Sequence, residues 1–357
     1  MTIEATTDYD AFIVGLGPAG ASAATALAKA GYRVLAIDRK PAPGTPVQCA
    51  EFVPMMMANE TNIAVATTVQ PIGDMFTFVE SDAPDQACNF SGRMIDRHAF
   101  DAGLVAEAEA AGADCHFASP LGALSRDGVI TCAGRPFRAK IIIGADGPHS
   151  SIGAAIGSIN KDVLETRQIT VPLLRPHQGT DIFLSADYPG GYGWLFPKGD
   201  KANIGLGLDH DQRDRLKPLL EELHQRLMDE TRVGAEISYH TGGAIPAGGL
   251  LDPQGRLGES LVLLAGDAAG LTNCITGAGI AAAIMSGKLA GEAAIAFLEG
   301  DQQAGQDYAE DLQDMFGAAL TRACQHRQKL KTIRQNEQAP SPAHLRNSWI
   351  AYPQYWH

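Results

Sequence analysis

Residues 11–20 read AFIVGLGPAG: four apolar residues, then Gly15, Gly17 and Gly20 in the spacing G-x-G-x-x-G. The apolar run has the character of a buried strand, and each glycine after it has its own reason. The first allows a tight turn, the second a close approach of backbone to a pyrophosphate, and the third close packing of helix on strand. The alanine-rich ASAATALAKA that follows reads as a helix closed by Gly31, and its first turn would offer N–H donors to phosphates. YRVLAID then reads as a second buried strand ending on Asp38, where a carboxylate can accept from both hydroxyls of a ribose. Strand, glycine turn, helix and strand in this order predict a dinucleotide-binding βαβ unit. The fingerprint alone does not choose between nicotinamide and flavin dinucleotides.

Composition narrows the class. A chain of 357 residues is long for one simple domain and predicts two interlocked domains around one ligand. A net charge of -13 argues against a nucleic-acid partner, which calls for a basic surface. The cysteines at 49, 88, 115, 132, 274 and 324 form no C-x-x-C and no short Cys/His spacing, so no metal centre is expected and the thiols are read as reduced. The N-terminal MTIEATTDYD is acidic and polar where a secretion signal is basic and then apolar. No window is read as holding the roughly 20 apolar residues of a membrane span. The expectation is a cytoplasmic protein.

Farther along, 41–54 is too rich in Pro and Gly for regular structure and is expected to be a loop with a purpose, while Met55 to Met57 and the run at 67–70 are not placed. Residues 96–112 predict a helix behind an Asp96 N-cap, and AKIIIGADG at 139–147 a third strand of the first domain. From about 165 to 262 short alternating segments such as RQITVPLL and DIFLSADY predict an antiparallel sheet. LVLLAGDAAG and an alanine-rich helix at 277–297 return to the first domain. Residues 305–336 read as helical and carry Arg322, Arg327, Lys329, Lys331 and Arg334, and the end, WIAYPQYWH, is aromatic and irregular.

Three further motifs go beyond residue patterns. DRHAF at 96–100, GADGPHS at 144–150 and AGDAAGLTNCITGAGI at 265–280 stand in the order seen in flavin enzymes of the aromatic-hydroxylase superfamily, which the chain resembles over most of its length. Within that superfamily PVQCAE at 46–51 and YGWLFPKG at 192–199 resemble the PVxCGE and YxWxFPK motifs of the geranylgeranyl reductase family, flavoproteins that saturate isoprenoid double bonds. The resemblance implies an α/β plus α+β fold: a Rossmann-type FAD-binding domain of the GR2/aromatic-hydroxylase type, an antiparallel-sheet substrate domain and C-terminal helices. The division expected is 1–75, 95–160 and 262–300 for FAD, 76–94 and 161–261 for substrate, and 301–357 for a helical segment and aromatic tail.

The same resemblance assigns Gly15, Gly17, Gly20, Asp38, Cys49, Ala50, Arg97, Leu121, Asp146, Asp267, Gly279 and Ile280 to FAD. Asp267 would hold the ribityl and pyrophosphate portion, and the helix start at Gly279 and Ile280 would face the isoalloxazine, where an N-terminus stabilises negative charge. Cys49 would be catalytic, as a proton donor or a thiol that interacts with flavin; the plain alternative is a cysteine that merely packs. Tyr192, Trp194 and Phe196 alternate, so on a strand they share one face, which is either a wall for an elongated apolar substrate or simply core. The family resemblance favours the wall. Two departures stand out: Ala50 replaces a glycine and Cys274 a proline, which raises the idea of a Cys49–Cys274 redox pair. The chain is also short after the Asp267 helix compared with lipid-reducing relatives.

The function expected is an FAD-dependent reductase acting on an apolar unsaturated, isoprenoid-like acceptor. No second G-x-G-x-x-G is visible, so the donor is expected to be transiently bound NAD(P)H or a reduced electron-carrier protein. Two alternatives remain: an FAD-dependent monooxygenase, and an electron-transferring flavoprotein serving a protein partner in cofactor biosynthesis such as lipoate assembly. A flavin halogenase is disfavoured because no lysine lies between Lys40 and Lys140. The basic stretch 322–334 would suit an acidic carrier, or a peripheral membrane contact, if it is exposed. Oligomeric state is not read.

Overall fold

The structure is a computed structural model that describes residues 9–54, 66–336 and 338–357. The N-terminal MTIEATTD and Met55 to Met57 therefore lie outside the described residues. The chain builds two main sheets and two small ones.

The first main sheet has six strands: β1 (Ala11–Val14), β2 (Val34–Ile37), β8 (Asp114–His116), β12 (Ile141–Gly144), β18 (Gln254–Leu257) and β19 (Ser260–Leu264), in the order β18-β19-β12-β1-β2-β8. All neighbours are parallel except the edge pair β18 and β19. Every residue of β1, β2, β12 and β19 is buried, which is why these segments read as continuous apolar runs. Helix α1 (Pro18–Lys29) follows β1, and α2 (Arg97–Ala110) starts behind Asp96, whose carboxylate accepts from the Ala99 N–H at 3.0 Å. The short α3 (Ser151–Ala155) follows β12.

The second main sheet has seven strands in the order β17-β13-β16-β15-β14-β5-β6. They are β5 (Asp74–Val79), β6 (Asp85–Ala87), β13 (Val163–Pro172), β14 (Gly179–Leu184), β15 (Gly193–Lys198), β16 (Lys201–Asp209) and β17 (Tyr239–Pro246). It is antiparallel but for β14 with β5, which run parallel because a long excursion separates them. Helix α4 (Leu216–Asp229), absent from the sequence expectation for this region, covers one face through Leu216, Leu220, Leu223 and Leu227. Among the described residues two three-stranded sheets complete the strands: β9 (Leu121–Leu124), β10 (Ile130–Cys132) and β11 (Arg135–Phe137) pack on the first sheet through Phe137 on Phe12, and β3 (Phe52–Pro54), β7 (Gly92–Ile95) and β4 (Thr68–Ile72) lie against β15. Residues 254–257 and 260–261, assigned from sequence to the substrate sheet, belong to the first sheet, because β18 pairs with β19.

Helix α5 (Ile280–Leu298) packs along α1. Gly287 and Gly291 allow this, since a Cβ on either would overlap or crowd Ala19 and Ala26. By length and composition α5 is apolar enough to cross a membrane, contrary to the sequence expectation that no stretch is; in the structure it is a helix of the first core. Helices α6 (Ala304–Leu312) and α7 (Ala318–Gln335) run on through a π-turn at Gln313–Gly317. Helix α8 (Pro342–Asn347) and a 3-10 turn at Pro353–Trp356 form the tail.

Candidate functional site

The glycine turn is shaped by backbone alone. Gly15 has φ +97, and a Cβ there would overlap the Ala145 carbonyl; one on Gly20 would overlap the Gly15 carbonyl. At Gly17 a Cβ would meet nothing within 4 Å. Gly17 is also the N-cap of α1 and supplies no side-chain acceptor, so the helix start faces open space with its donors free of a cap. Asp38 ties this turn to the end of β2: one carboxylate oxygen accepts from the Leu16 N–H and the other from the Lys40 N–H, both at 2.8 Å. The Ser119 N–H donates to the Asp38 carbonyl at 2.8 Å, which brings the segment leading to Leu121 beside the same strand end.

Arg97, Asp101, Cys49 and Asp267 form one cluster. The Arg97 guanidinium makes a two-pronged contact with the buried Asp101 at 3.0 and 3.1 Å and lies within electrostatic reach of Cys49. Burial opposes its charge, but Asp101 and Cys49 outweigh that and hold Arg97 above its ordinary pKa. Burial raises the Asp267 carboxyl above its ordinary value, against a 2.5 Å hydrogen bond from Thr272 and the charge of Arg97. Gly279 caps the N-terminus of α5 with no side-chain acceptor, next to Ile280, and a Cβ on it would overlap the Thr272 hydroxyl. Asp146 is turned elsewhere: its carboxylate takes the Ser150 hydroxyl at 2.5 Å and the N–H groups of Ser151 and Ile152, so it caps α3.

The cysteine loop is bound to the antiparallel sheet residue by residue. Thr241 donates to the Val47 carbonyl at 2.6 Å, Gln48 to the Gly242 carbonyl at 3.2 Å, Gln168 to the Cys49 carbonyl at 3.2 Å and Asn203 to the Ala50 carbonyl at 3.3 Å. Gln168 accepts in turn from the Trp194 indole at 3.0 Å, so the aromatic face and the cysteine loop share one support. Gly205 on β16 makes room for that indole, since a Cβ there would overlap the Trp194 ring.

Glu51 pins the end of the loop. It is 5% exposed and has φ +67, a left-handed conformation of the kind that costs about 1–3 kcal/mol in a residue with a side chain. Its carboxylate is held by Lys198 at 2.8 and 2.9 Å, Asn203 at 3.1 Å and the Arg97 N–H at 3.1 Å, while its own N–H points at the Cys49 sulfur at 3.2 Å. Glu51, Lys198, Gln168 and Asn203 were not among the residues expected from sequence. Glu51 and Lys198 stand inside the two quoted motifs, where buried opposite charges were the signal available; nothing marked Gln168 or Asn203.

Tyr192, Trp194 and Phe196 do share a face, with centroids 5.7 and 6.2 Å apart in sequence. The Tyr192 hydroxyl donates to the Thr276 carbonyl at 2.7 Å and so reaches the turn after Asp267. The Tyr192 end of the face is covered by the tail, where Trp349 packs edge-on to Tyr192 at 4.9 Å and Leu345, Trp349 and Tyr355 are buried in the same cluster, while Phe196 packs on Phe52 at 5.6 Å. A cavity of about 40 Å³ remains between Tyr192, Leu184, Ile275, Leu345 and Trp349.

Two expectations are corrected. Cys49 and Cys274 have different partners: Cys49 meets Arg97 and Glu51, whereas the Cys274 sulfur lies 3.8 Å from that of Cys324. Both thiols are free, so the redox pair suggested from sequence is not formed. The basic stretch is also neutralised from within. Arg327 pairs with Asp162 and Asp209, Lys331 with Asp162 at 3.0 Å, Arg334 donates to the Ala186 carbonyl and Arg322 lies over the Trp356 ring. Of the five, Lys329 is left exposed.

A mostly parallel sheet with a capless glycine turn, an acidic strand end and a second uncapped helix start beside a half-buried aspartate marks a dinucleotide site, and the family matches make the protein an FAD-dependent oxidoreductase. In agreement, an FAD binding domain family matches residues 8–173 and the geranylgeranyl reductase catalytic domain family residues 167–244. A digeranylgeranylglycerophospholipid reductase of Methanococcoides burtonii is 32% identical over 80% of this chain and 74% of its own length. One from Thermoplasma volcanium is 33% identical over 86% of this chain and 84% of its own. The crystal structure of a geranylgeranyl bacteriochlorophyll reductase-like protein from Thermoplasma acidophilum superposes with a TM-score of 0.80 at 28% identity, covering 90% of this chain and 87% of that one. The chain belongs to the geranylgeranyl reductase family.

Proposed function

We propose that this chain reduces carbon–carbon double bonds in an apolar isoprenoid lipid, the acceptor lying along Tyr192, Trp194 and Phe196. The observation that carries this reading is the Trp194–Gln168–Cys49 hydrogen-bond relay, which fixes an apolar aromatic face and a thiol in one frame. The residues present fit FAD: open space at Gly17, two helix starts without side-chain caps, and a half-buried Asp267 whose raised pKa asks for donors. FAD, when bound, supplies the hydride. Its source is NAD(P)H or a reduced electron-carrier protein, and the single G-x-G-x-x-G favours a donor that binds transiently.

The start of α1 with Gly15, Gly17 and Gly20 would hold the pyrophosphate, Asp38 the ribose, and Asp267 with Arg97 the ribityl portion. Leu121 would border the adenine end; Ala50, Gly279 and Ile280 would border the ring, and Asp146 would act by ordering α3. Cys49 would protonate the carbon that does not receive hydride. The Glu51 N–H aimed at its sulfur and the nearby Arg97 charge then stabilise the thiolate left behind, an interaction stronger after the transfer than before it.

The acceptor must displace the tail. The remaining 40 Å³ has room for a few waters at about 10–15 Å³ each and not for an isoprenoid chain, so Leu345 and Trp349 have to give way. Because such an acceptor resides in a membrane, the proposal includes peripheral contact by a cytoplasmic enzyme.

The test is a single anaerobic turnover. FAD-loaded protein, reduced chemically, is mixed with a lipid bearing geranylgeranyl chains. The expected result is one flavin oxidised per double bond, two hydrogens gained in the product, and a Trp194→Ala variant slower by about tenfold, equivalent to about 1.4 kcal/mol. Flavin that stays reduced with the lipid, yet oxidises in air with oxygen incorporated into product, would replace this reading by a monooxygenase.

A further inference from the structure

A second thiol site lies away from Cys49. Cys274, 2% exposed, belongs to the turn after Asp267, and Cys324 sits half-buried on α7 with its sulfur 3.8 Å away, the Cys274 thiol donating. Cys324 borders a pocket of about 460 Å³ between the glycine turn at Gly248 and Gly249 and the π-turn that joins α6 to α7. Gly249 has φ +86, and a Cβ on it would come within 3.1 Å of the Cys324 sulfur; glycine therefore keeps that sulfur reachable from the pocket. Gln313, Thr321, Gln325 and Gln328 give the pocket a polar wall suited to a hydrophilic molecule.

The electrostatics agree with an exchange-competent thiol. The Cys274 hydrogen bond and the Arg327 guanidinium lower the Cys324 thiol, against burial and the charge of Asp162, while Cys274 is pushed up by the same hydrogen bond and by burial. Of the two sulfurs, the one that faces the pocket is thus the readier nucleophile.

We propose that Cys324 and Cys274 form a thiol–disulfide exchange site that accepts a low-molecular-weight disulfide from the pocket. The Cys324 thiolate attacks one sulfur of the small disulfide; a new S–S bond forms, the old one breaks, and the departing thiolate takes a proton from solvent. Cys274 then loses its proton and attacks the Cys324 sulfur, which expels the second small thiol. Two protein thiols are oxidised to one disulfide and one small disulfide is reduced to two thiols. The sulfurs must close from 3.8 Å to about 2.05 Å, a movement on the scale of a side-chain rotation. The bond would tie the turn after Asp267 to α7. That turn also accepts the Tyr192 hydroxyl at Thr276, so its oxidation state is connected to the aromatic face.

The experiment uses full-length, FAD-loaded protein incubated with glutathione disulfide and mapped by peptide mass spectrometry after acid quenching. The wild-type chain is expected to yield a Cys274–Cys324 disulfide with no glutathione retained on either residue. Cys274→Ser is expected to stop at one glutathione on Cys324, and Cys324→Ser to leave Cys274 free. The exposed Cys88 serves as a control for reagent in all three proteins, and the flavin absorbance as a control for folding. Glutathione on Cys88 with Cys274 and Cys324 both free would overturn the proposal, as would a mixed disulfide that persists on Cys324 of the wild-type chain.

Discussion

The two main sheets build their sites from different materials. At the parallel sheet the ligand cradle is backbone: Gly15 and Gly20 leave no room for another atom, and Gly17 opens onto free space. At the antiparallel sheet the site is side chain on backbone, with Gln168, Asn203, Thr241 and Lys198 reaching across to hold the Cys49 loop. One cradle stands ready at the end of α1, whereas the other is roofed by the tail through Trp349. The first should therefore fail sterically and all at once, the second through lost partners and by degrees.

The sharpest contrast lies within the glycine turn. Gly20→Ala forces a Cβ onto the Gly15 carbonyl and is expected to lose about 3 kcal/mol or more along with bound flavin, read by denaturant midpoint and absorbance. Gly17→Ala, by contrast, is expected to change stability by no more than about 1 kcal/mol, while FAD affinity in a titration falls by about tenfold or more, equivalent to 1.4 kcal/mol. Equal loss of stability in the two variants would break the distinction between a packed and an open glycine.

On the other sheet, Trp349→Ala removes a ring that is 3% exposed and is expected to cost about 3–5 kcal/mol in urea unfolding, while lowering the KM for the lipid by uncovering Tyr192. Glu51→Gln leaves Lys198 without its carboxylate. Because Lys198 keeps 23% of its side chain exposed, the expected loss is discounted to about 2 kcal/mol, and a Glu51→Gln, Lys198→Met double variant should recover part of it. A double variant worse than the sum of the singles would show that the pair is not the anchor of the loop.

Asp267 gives the smallest effect and the opposite sign. Its folded pKa is raised above 3.8, so the folded chain holds this proton longer than the unfolded one. FAD-free stability accordingly contains a contribution that falls as pH rises from about 3.8 through the folded pKa. Asp267→Asn should remove that fall and stabilise the FAD-free chain at pH 7 by about 1 kcal/mol, while weakening FAD binding. Thermal melts across pH, with and without FAD, check both halves.

This division of materials also explains what could be read in advance. A turn built from glycines leaves its signature in the sequence, because only glycine fits; β1, α1, β2 and the Asp96 cap of α2 follow directly from the opening motif and its sequel. Period-two alternation likewise placed Tyr192, Trp194 and Phe196 on one face. What covers that face was not legible, since the tail that packs on it is distant in the chain and irregular. Nor was the backbone of Glu51: positive φ is a glycine habit, and only the converging Lys198, Asn203 and Arg97 N–H groups hold a glutamate there. The basic run of α7 misled for the same reason, its acidic partners Asp162 and Asp209 lying far off in sequence.

The central claim is that an isoprenoid acceptor takes the place of the tail on the aromatic face beside Cys49. Amide hydrogen exchange of the FAD-loaded protein, with and without a geranylgeranyl lipid at saturating concentration, tests it directly. The account predicts that residues 342–356 exchange about tenfold faster or more when the lipid is bound. Unchanged exchange there, with lipid binding shown in the same sample, would contradict it.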